Sequence, residues 1–177
     1  MSAQWKPQAV VFDLGGVMIE LGPISDVVGD QITADGEFWS RWLRSDSVRD
    51  FEGGRCDAQQ FGERFVEEFD LPFMGSELID RFRSWPRGLF DGAQELLTEL
   101  SLNQTIVVAA LSNSNPVHWH EQQDADVIRS LFERPFLSYE LELVKPDRDI
   151  FETVARSLDV HPGDILYFDD NQINVDG

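Results

Sequence analysis

The apolar run Ala9-Val10-Val11-Phe12 stops on a carboxylate, Asp13, and Leu14-Gly15-Gly16-Val17 comes next. Near the other end a second run, Ile165-Leu166-Tyr167-Phe168, stops on Asp169-Asp170-Asn171. A carboxylate at the end of a buried strand is costly unless something uses it. The uses open to it there are nucleophile and metal ligand. Two adjacent acids after a buried strand repel each other unless a cation sits nearby, and two such strands in one chain suggest that the acids converge. Two more polar points come after apolar runs: Ser112-Asn113 after Leu111, and Lys145-Pro146-Asp147, which carries one of the two lysines in the chain. All four points read as C-terminal strand ends, where open α/β sheets carry their sites. Taken singly, each has a bland reading: Asp13 as a turn residue, Ser112-Asn113 as a helix cap, Lys145 as a solvated loop lysine, Asp169-Asp170 as a turn. Their weight comes from coincidence and order.

The elements that must position these residues read as strands over 9–13, 105–111, about 136–139 and 165–168, the second a β-branched run that suits burial on both faces. Helical patterns lie between the later strands: Ala93 to Leu102 after Asp91-Gly92, Pro116 through about Leu131, and Arg148 to Leu158 with Asp147 as its cap. Strand and helix in alternation imply an α/β fold with a doubly wound parallel sheet. The stretch from Gly22 to Trp85 breaks the pattern. It contains no convincing strand and reads as helices over Phe38–Leu43, Ala58–Phe69 and Ser76–Phe82. The expected organisation is a core built from 1–21 and 86–177, with a helical insertion over 22–85. The aromatic residues Phe38, Trp39, Trp42, Phe51, Phe61, Phe65 and Phe69 of that insertion read as its core. The last residues, Asn174-Val175-Asp176-Gly177, read as the first turn of a helix. A doubly wound sheet would continue past them, so the C-terminal part of the core is expected to be truncated, with one side of the fourth strand uncovered.

Composition narrows the partners. The 177 residues are 42% hydrophobic and 11% aromatic, the make-up of a packed globular chain. A net charge of −19 argues against nucleic acid and anionic membranes as partners. A small phosphorylated molecule needs only local positive charge. Cys56 is the single cysteine, so no intrachain disulfide forms, and a reducing compartment is expected. The N-terminus lacks the regions of a signal peptide, and no apolar run approaches a membrane span, so the expected setting is the cytoplasm, as a monomer or homodimer.

In order along the chain, Phe12-Asp13-Leu14-Gly15-Gly16-Val17, Leu111-Ser112-Asn113-Ser114-Asn115, Lys145-Pro146-Asp147 and Phe168-Asp169-Asp170-Asn171 resemble the four motifs of the haloacid-dehalogenase-like hydrolase superfamily. The helical insertion is similar to that superfamily's small α-helical cap. The resemblance implies a Rossmann-like core and Mg²⁺-dependent hydrolysis of small phosphomonoesters, sugar phosphates among them. It implies that Asp13 attacks phosphorus and forms an aspartyl-phosphate. It implies that Mg²⁺ is held by Asp13, the Gly15 carbonyl and Asp170, with Asp169 at or just behind the ion. Ser112, with the N–H groups of Asn113 and Leu14, would take phosphoryl oxygens, and Lys145 would neutralise charge on the nucleophile and the transferring group.

One departure matters. Many phosphatases of this superfamily carry a second Asp two residues after the nucleophile, as general acid and then base; here that position is Gly15. Three accounts stand: a substrate with a good leaving group, such as a sugar 1-phosphate; a substitute such as Glu20, His118 or the substrate itself; or a slow or inactive enzyme. A branch resembling sugar-1-phosphate phosphatases also has Gly there, with Leu-Ser-Asn and Asp-Asp-Asn segments. Two other functions remain: a metal-free dehalogenase, against which the acid pair argues, and a degenerate member serving as a binding module. His118 and His120 read as packing or surface residues, and Arg41, Arg44 and Arg55 as ion-paired.

Overall fold

The computed structural model describes residues 5–33 and 36–177. The chain enters through β1 (Ala9–Phe12) and turns into a short β2 (Ile19–Leu21). Five helices come next: α1 (Ser25–Val28), α2 (Gly36–Arg44), α3 (Asp46–Glu52), α4 (Ala58–Phe69) and α5 (Gly75–Arg83). The remainder is β3 (Pro86–Leu89), α6 (Ala93–Ser101), β4 (Val107–Ser112), α7 (Pro116–Glu121), α8 (Ala125–Leu131), β5 (Pro135–Leu137), α9 (Ser138–Leu141), α10 (Arg148–Leu158), β6 (Ile165–Phe168) and α11 (Gln172–Val175).

β1, β4, β5 and β6 form one parallel sheet in the order β5-β4-β1-β6, the α/β arrangement read from the sequence. β1 is central, and all four of its residues are buried. The period-2 alternation of a strand sorts them by face. Val10 and Phe12 pack with Ala93, Leu97, Trp119 and Ile128 on one side. Ala9 and Val11 pack with Ile150, Val154 and Leu158 on the other. In the register of the sheet, Phe12 lies level with Ala110 on β4 and with Phe168 on β6. The residues just past these strands therefore arrive together at one edge. β6 is an edge strand, and Phe168 is exposed except where it stacks on Phe12, with ring centroids 5.2 Å apart.

The segment between β2 and β3 has its own apolar core, centred on Trp42, Phe51, Phe61, Phe65 and Phe82. The rings of Phe51 and Phe61 stack at 4.4 Å, and those of Phe65 and Phe69 at 4.2 Å. α4 opens with a capping box, in which the Asp57 carboxylate accepts from Gln60 N and the Gln60 side chain accepts from Asp57 N. It ends where Asp70 takes a left-handed conformation at φ 53°.

The structure corrects several sequence expectations. β2 and β3 pair antiparallel at the root of the helical segment, with Ile19 opposite Leu89. They are short, and Pro86 and Gly88 are poor strand residues, so no strand pattern marks them. β4 starts at Val107 rather than Thr105, because the amide and hydroxyl of Thr105 donate to Asn103 Oδ1 in a turn. The helix expected from Pro116 to Leu131 is two, broken where Asp124 sits at φ 59°. β5 ends at Leu137, and α9 begins at the next residue. α3 carries no pattern that marks it in the sequence. Asp147 flanks α10 without a side-chain capping bond; its carboxylate meets Arg49 instead. Among the described residues, no helix is long and apolar enough to cross a membrane.

Phe65 is fully buried in the helical segment's core. Phe65→Ala should lower the unfolding free energy by about 3–5 kcal/mol, read from urea denaturation; a loss under about 1 kcal/mol would mean that this core does not hold the segment together.

Candidate active site

Asp13 comes directly after β1, and its N–H continues the ladder by donating to the Phe168 carbonyl at 2.8 Å. Its Oδ1 accepts from the Leu14 N–H at 2.7 Å and lies 3.0 Å from Lys145 Nζ. The chain then folds back tightly, with the Leu14 carbonyl accepting from the N–H groups of Val17, Met18 and Ile19. Gly16 sits at φ +76°, and a Cβ there would lie 2.3 Å from Asp170 Oδ2. Glycine at that position is what lets Asp170 stand against the loop.

Lys145 is held from two directions. The Asn113 side chain clamps its backbone, Oδ1 accepting from Lys145 N at 2.8 Å and Nδ2 donating to Lys145 O at 3.1 Å. The lysine side chain is 1% exposed. Its ammonium donates to Asp169 Oδ2 at 2.6 Å, Tyr167 Oη at 3.1 Å and the Leu111 carbonyl at 3.3 Å, besides its contact with Asp13. Asp169 is wholly enclosed: Oδ2 also accepts from the Tyr167 hydroxyl, and Oδ1 accepts from Asn171 N at 2.9 Å and Asn174 Nδ2 at 3.0 Å.

These contacts sort the carboxyl groups. Burial pushes the Asp13 carboxyl up to about 6; Lys145 opposes the shift and Asp169 adds to it. Burial also acts against the charge of Asp169, but Lys145 overrides it and holds that carboxyl below its usual value. Lys145 itself stays above the usual lysine value, because Asp13 and Asp169 together outweigh its burial. Burial and Asp169 raise Asp170. Oxygens of Asp13, Asp169 and Asp170 all lie within 4.8 Å of one another. Three carboxylates against one ammonium leave two negative charges in excess. Hard oxygen donors with surplus negative charge suit a small divalent cation. Asp169 spends both oxygens on protein donors, so Asp13 and Asp170 have oxygens to offer. The Gly15 carbonyl joins them, since no described backbone N–H donates to it.

The expected phosphate-binding groups lie nearby. Ser112 ends β4, is buried, and its hydroxyl makes one long contact, 3.4 Å to the Asn113 carbonyl. The Leu14 N–H, by contrast, is taken by Asp13. Asn115 rather than Ser112 or Asn113 caps α7, accepting from His118 N at 3.0 Å.

A cavity of about 450 Å³ opens between this sheet edge and the helical segment. Two of its lining residues carry no signal in the sequence. Arg49 on α3 reaches across to Asp147 at 2.7 Å, and Glu52, the last residue of α3, lines the cavity together with Asn113. Burial pushes the Glu52 carboxyl up to about 7, with Lys145 opposing and Asp13 adding. An Arg and a Glu three apart on a helix surface give no sign in sequence of what they face. The acids and bases proposed from sequence fare differently. Glu20 is exposed on β2 and does not line the cavity. His118 does, but its Nε2 lies 2.8 Å from the Phe82 carbonyl and its Nδ1 3.3 Å from Asn115 Nδ2. Burial pushes it down to about 4.

The family model of haloacid dehalogenase-like hydrolases matches residues 7–177. The chain belongs to the haloacid dehalogenase-like hydrolase family. The sesquiterpene phosphatase astK of Aspergillus oryzae is 26% identical over 170 residues, 95% of this chain and 83% of that protein. The D-ribitol-5-phosphate phosphatase of Bacteroides thetaiotaomicron is 24% identical over 180 residues, 94% of this chain and 84% of that one. A crystal structure of a family member from Bacteroides thetaiotaomicron superposes with a TM-score of 0.71 at 25% identity, covering 96% of this chain and 87% of that one. The same enzyme has been solved with magnesium and inorganic phosphate. The position two after Asp13 is Gly15.

Lys145→Met should cost about 3–5 kcal/mol of stability at pH 8, because two buried carboxylates lose their cation. Both carboxyls would then titrate above their unfolded values, so the folded state binds protons first and gains stability on acidification. The deficit against the parent should therefore shrink between pH 8 and pH 5 in urea melts; a deficit that grows towards pH 5 would show that Lys145 does not hold these groups ionised.

Proposed function

We propose that this hydrolase is a Mg²⁺-dependent phosphatase of small phosphomonoesters that works through an aspartyl-phosphate. The observation that carries the reading is the state of Asp13. One oxygen is pinned by the Leu14 N–H and Lys145; the other has no hydrogen-bond partner among the described residues, and Asp13 lines the cavity. A carboxylate oriented this way and set beside a further acid pair suits nucleophilic attack on a group that is itself anionic. Asp13, the Gly15 carbonyl and Asp170 would hold Mg²⁺, which when bound screens the repulsion between carboxylate and phosphate. Asp169 orients Lys145 from behind. Lys145 balances charge at the nucleophile, while the Ser112 hydroxyl and the Asn113 N–H take phosphoryl oxygens.

On this reading residues 22–85 are a cap over a core of 1–21 and 86–177. The cap supplies one wall of the cavity, excludes water from the phosphoryl group, and selects the leaving group. Trp39, Trp42 and Trp85 contribute aromatic faces to that wall. A sugar phosphate, the finer expectation, would pack a ring face there. We place the enzyme in the cytoplasm, as a monomer or homodimer acting on a diffusible phosphorylated metabolite and not on nucleic acid or membranes.

Phosphate release from a panel of sugar, polyol, prenyl and aryl phosphates with Mg²⁺ tests the reading. Asp13→Asn should lower turnover by at least about a thousandfold, and EDTA should abolish it. Halide release from 2-haloacids that survives EDTA, without phosphate release, would point to the dehalogenase instead.

A further inference from the structure

An alkoxide leaving group needs a proton as it departs, and the loop beside Asp13 has none to give. Position 15 is glycine and offers no side chain; a Cβ built there would lie 3.3 Å from Leu21 Cδ1, a tight contact. Glu20 is outside the cavity, and both ring nitrogens of His118 are held by neighbours. Asp169 has neither oxygen to spare. Asp170 is committed to the cation, which leaves Glu52 among the described carboxyls that line the cavity. Glu52 closes α3 and lines the cavity that Asp13, Ser112, Asn113 and Lys145 also line. Asn113 clamps the Lys145 backbone. Glu52 thus lines the same cavity as the phosphoryl site, on the wall that the helical segment supplies, where the leaving group of a bound ester must lie.

We propose that Glu52 is the general acid and base of this site, supplying from the cap the proton transfer that the loop position Gly15 does not. The inference rests on the phosphatase reading. In the first half-reaction an Asp13 oxygen forms a bond to phosphorus, the bond from phosphorus to the leaving oxygen breaks, and its electron pair takes the Glu52 proton, releasing an alcohol. In the second, the Glu52 carboxylate accepts a proton from water while the water oxygen bonds phosphorus. The phosphorus–Asp13 bond breaks, inorganic phosphate leaves, and Glu52 is again protonated. The environment matches the task. Burial holds the Glu52 carboxyl near 7, between the pull of Lys145 and Arg49 and the push of Asp13, so that both protonation states are accessible near neutral pH. The carbonyl end of α3 also disfavours the ionised form.

The test is Glu52→Gln, which keeps shape and hydrogen bonding, measured as kcat/KM with Mg²⁺ on esters sharing one ring: p-nitrophenyl, phenyl and benzyl phosphate. The loss should be about 10²–10⁴-fold for benzyl phosphate, whose leaving group needs the proton, and under about tenfold for p-nitrophenyl phosphate, whose leaving group does not. With the nitrophenyl ester the variant should also release a burst of nitrophenolate close to one per active site, because hydrolysis of the aspartyl-phosphate lacks its base. Comparing esters on one sample cancels any change in the folded fraction. An equal loss on all three esters, or no loss on benzyl phosphate, overturns the role of Glu52 while leaving the phosphatase standing. A parent enzyme that releases phosphate from none of the panel overturns both.

Discussion

A single buried ammonium carries the site. Removing Lys145, Asp13 and Asp169 from water costs several kcal/mol per ion. Each contact, at 2.6 and 3.0 Å, returns on the order of 5 kcal/mol at an effective dielectric of about 20. One partner would leave Lys145 close to break-even; two make the buried charge stable and keep it charged. The two carboxylates come from neighbouring strands, so the ion contacts work only if β1 and β6 keep their register, with Phe12 level with Phe168. A slip of one residue would turn Asp13 to the other face of the sheet. Sheet register and charge balance are one constraint here.

That constraint fixes the parts around it. Asp169, saturated by Lys145, Tyr167, Asn171 and Asn174, is a spacer whose position delivers its neighbour Asp170 to the Gly16 turn. Asn113, which grips the Lys145 backbone at two points, lines the cavity beside Glu52. The same region joins the helical segment to the sheet, through Arg49 and Asp147 at 2.7 Å. Exposed ion pairs of that kind contribute little to stability. Arg49 and Asp147 set the orientation of α3 rather than holding it in place, which the aromatic core of the segment does.

What could be read from the sequence divides along the range of the interactions. Asp13 and Asp169-Asp170 were legible because an apolar strand ending on an acid is a local conflict, visible without knowledge of the fold. The parallel sheet was legible from strand and helix alternation. Lys145 was visible as a cation after a strand, but its depth was not, since that depends on a clamp from Asn113, 32 residues away. The ribbon of β2 and β3 left no pattern, because its pairing spans the whole helical segment. The break between α7 and α8 turns on a left-handed Asp124, a conformation that Asp tolerates but does not announce. Glu52 was invisible for the same reason: a surface-type residue on a short helix gains its environment only when α3 lies over the sheet edge.

Where the proton source sits has a consequence for how the site is assembled. An acid on the loop beside the nucleophile would be present whatever the cap does. An acid on α3 is present only while α3 lies over the sheet edge, where burial holds its proton near neutral pH. If α3 withdraws, Glu52 returns to water and ionises. On the proposed mechanism, therefore, closure does three things at once: it removes bulk water, completes the acid, and places that acid beside the leaving group. With glycine at position 15, the loop carries no second proton source, so that turnover of an unactivated ester depends on the closed arrangement.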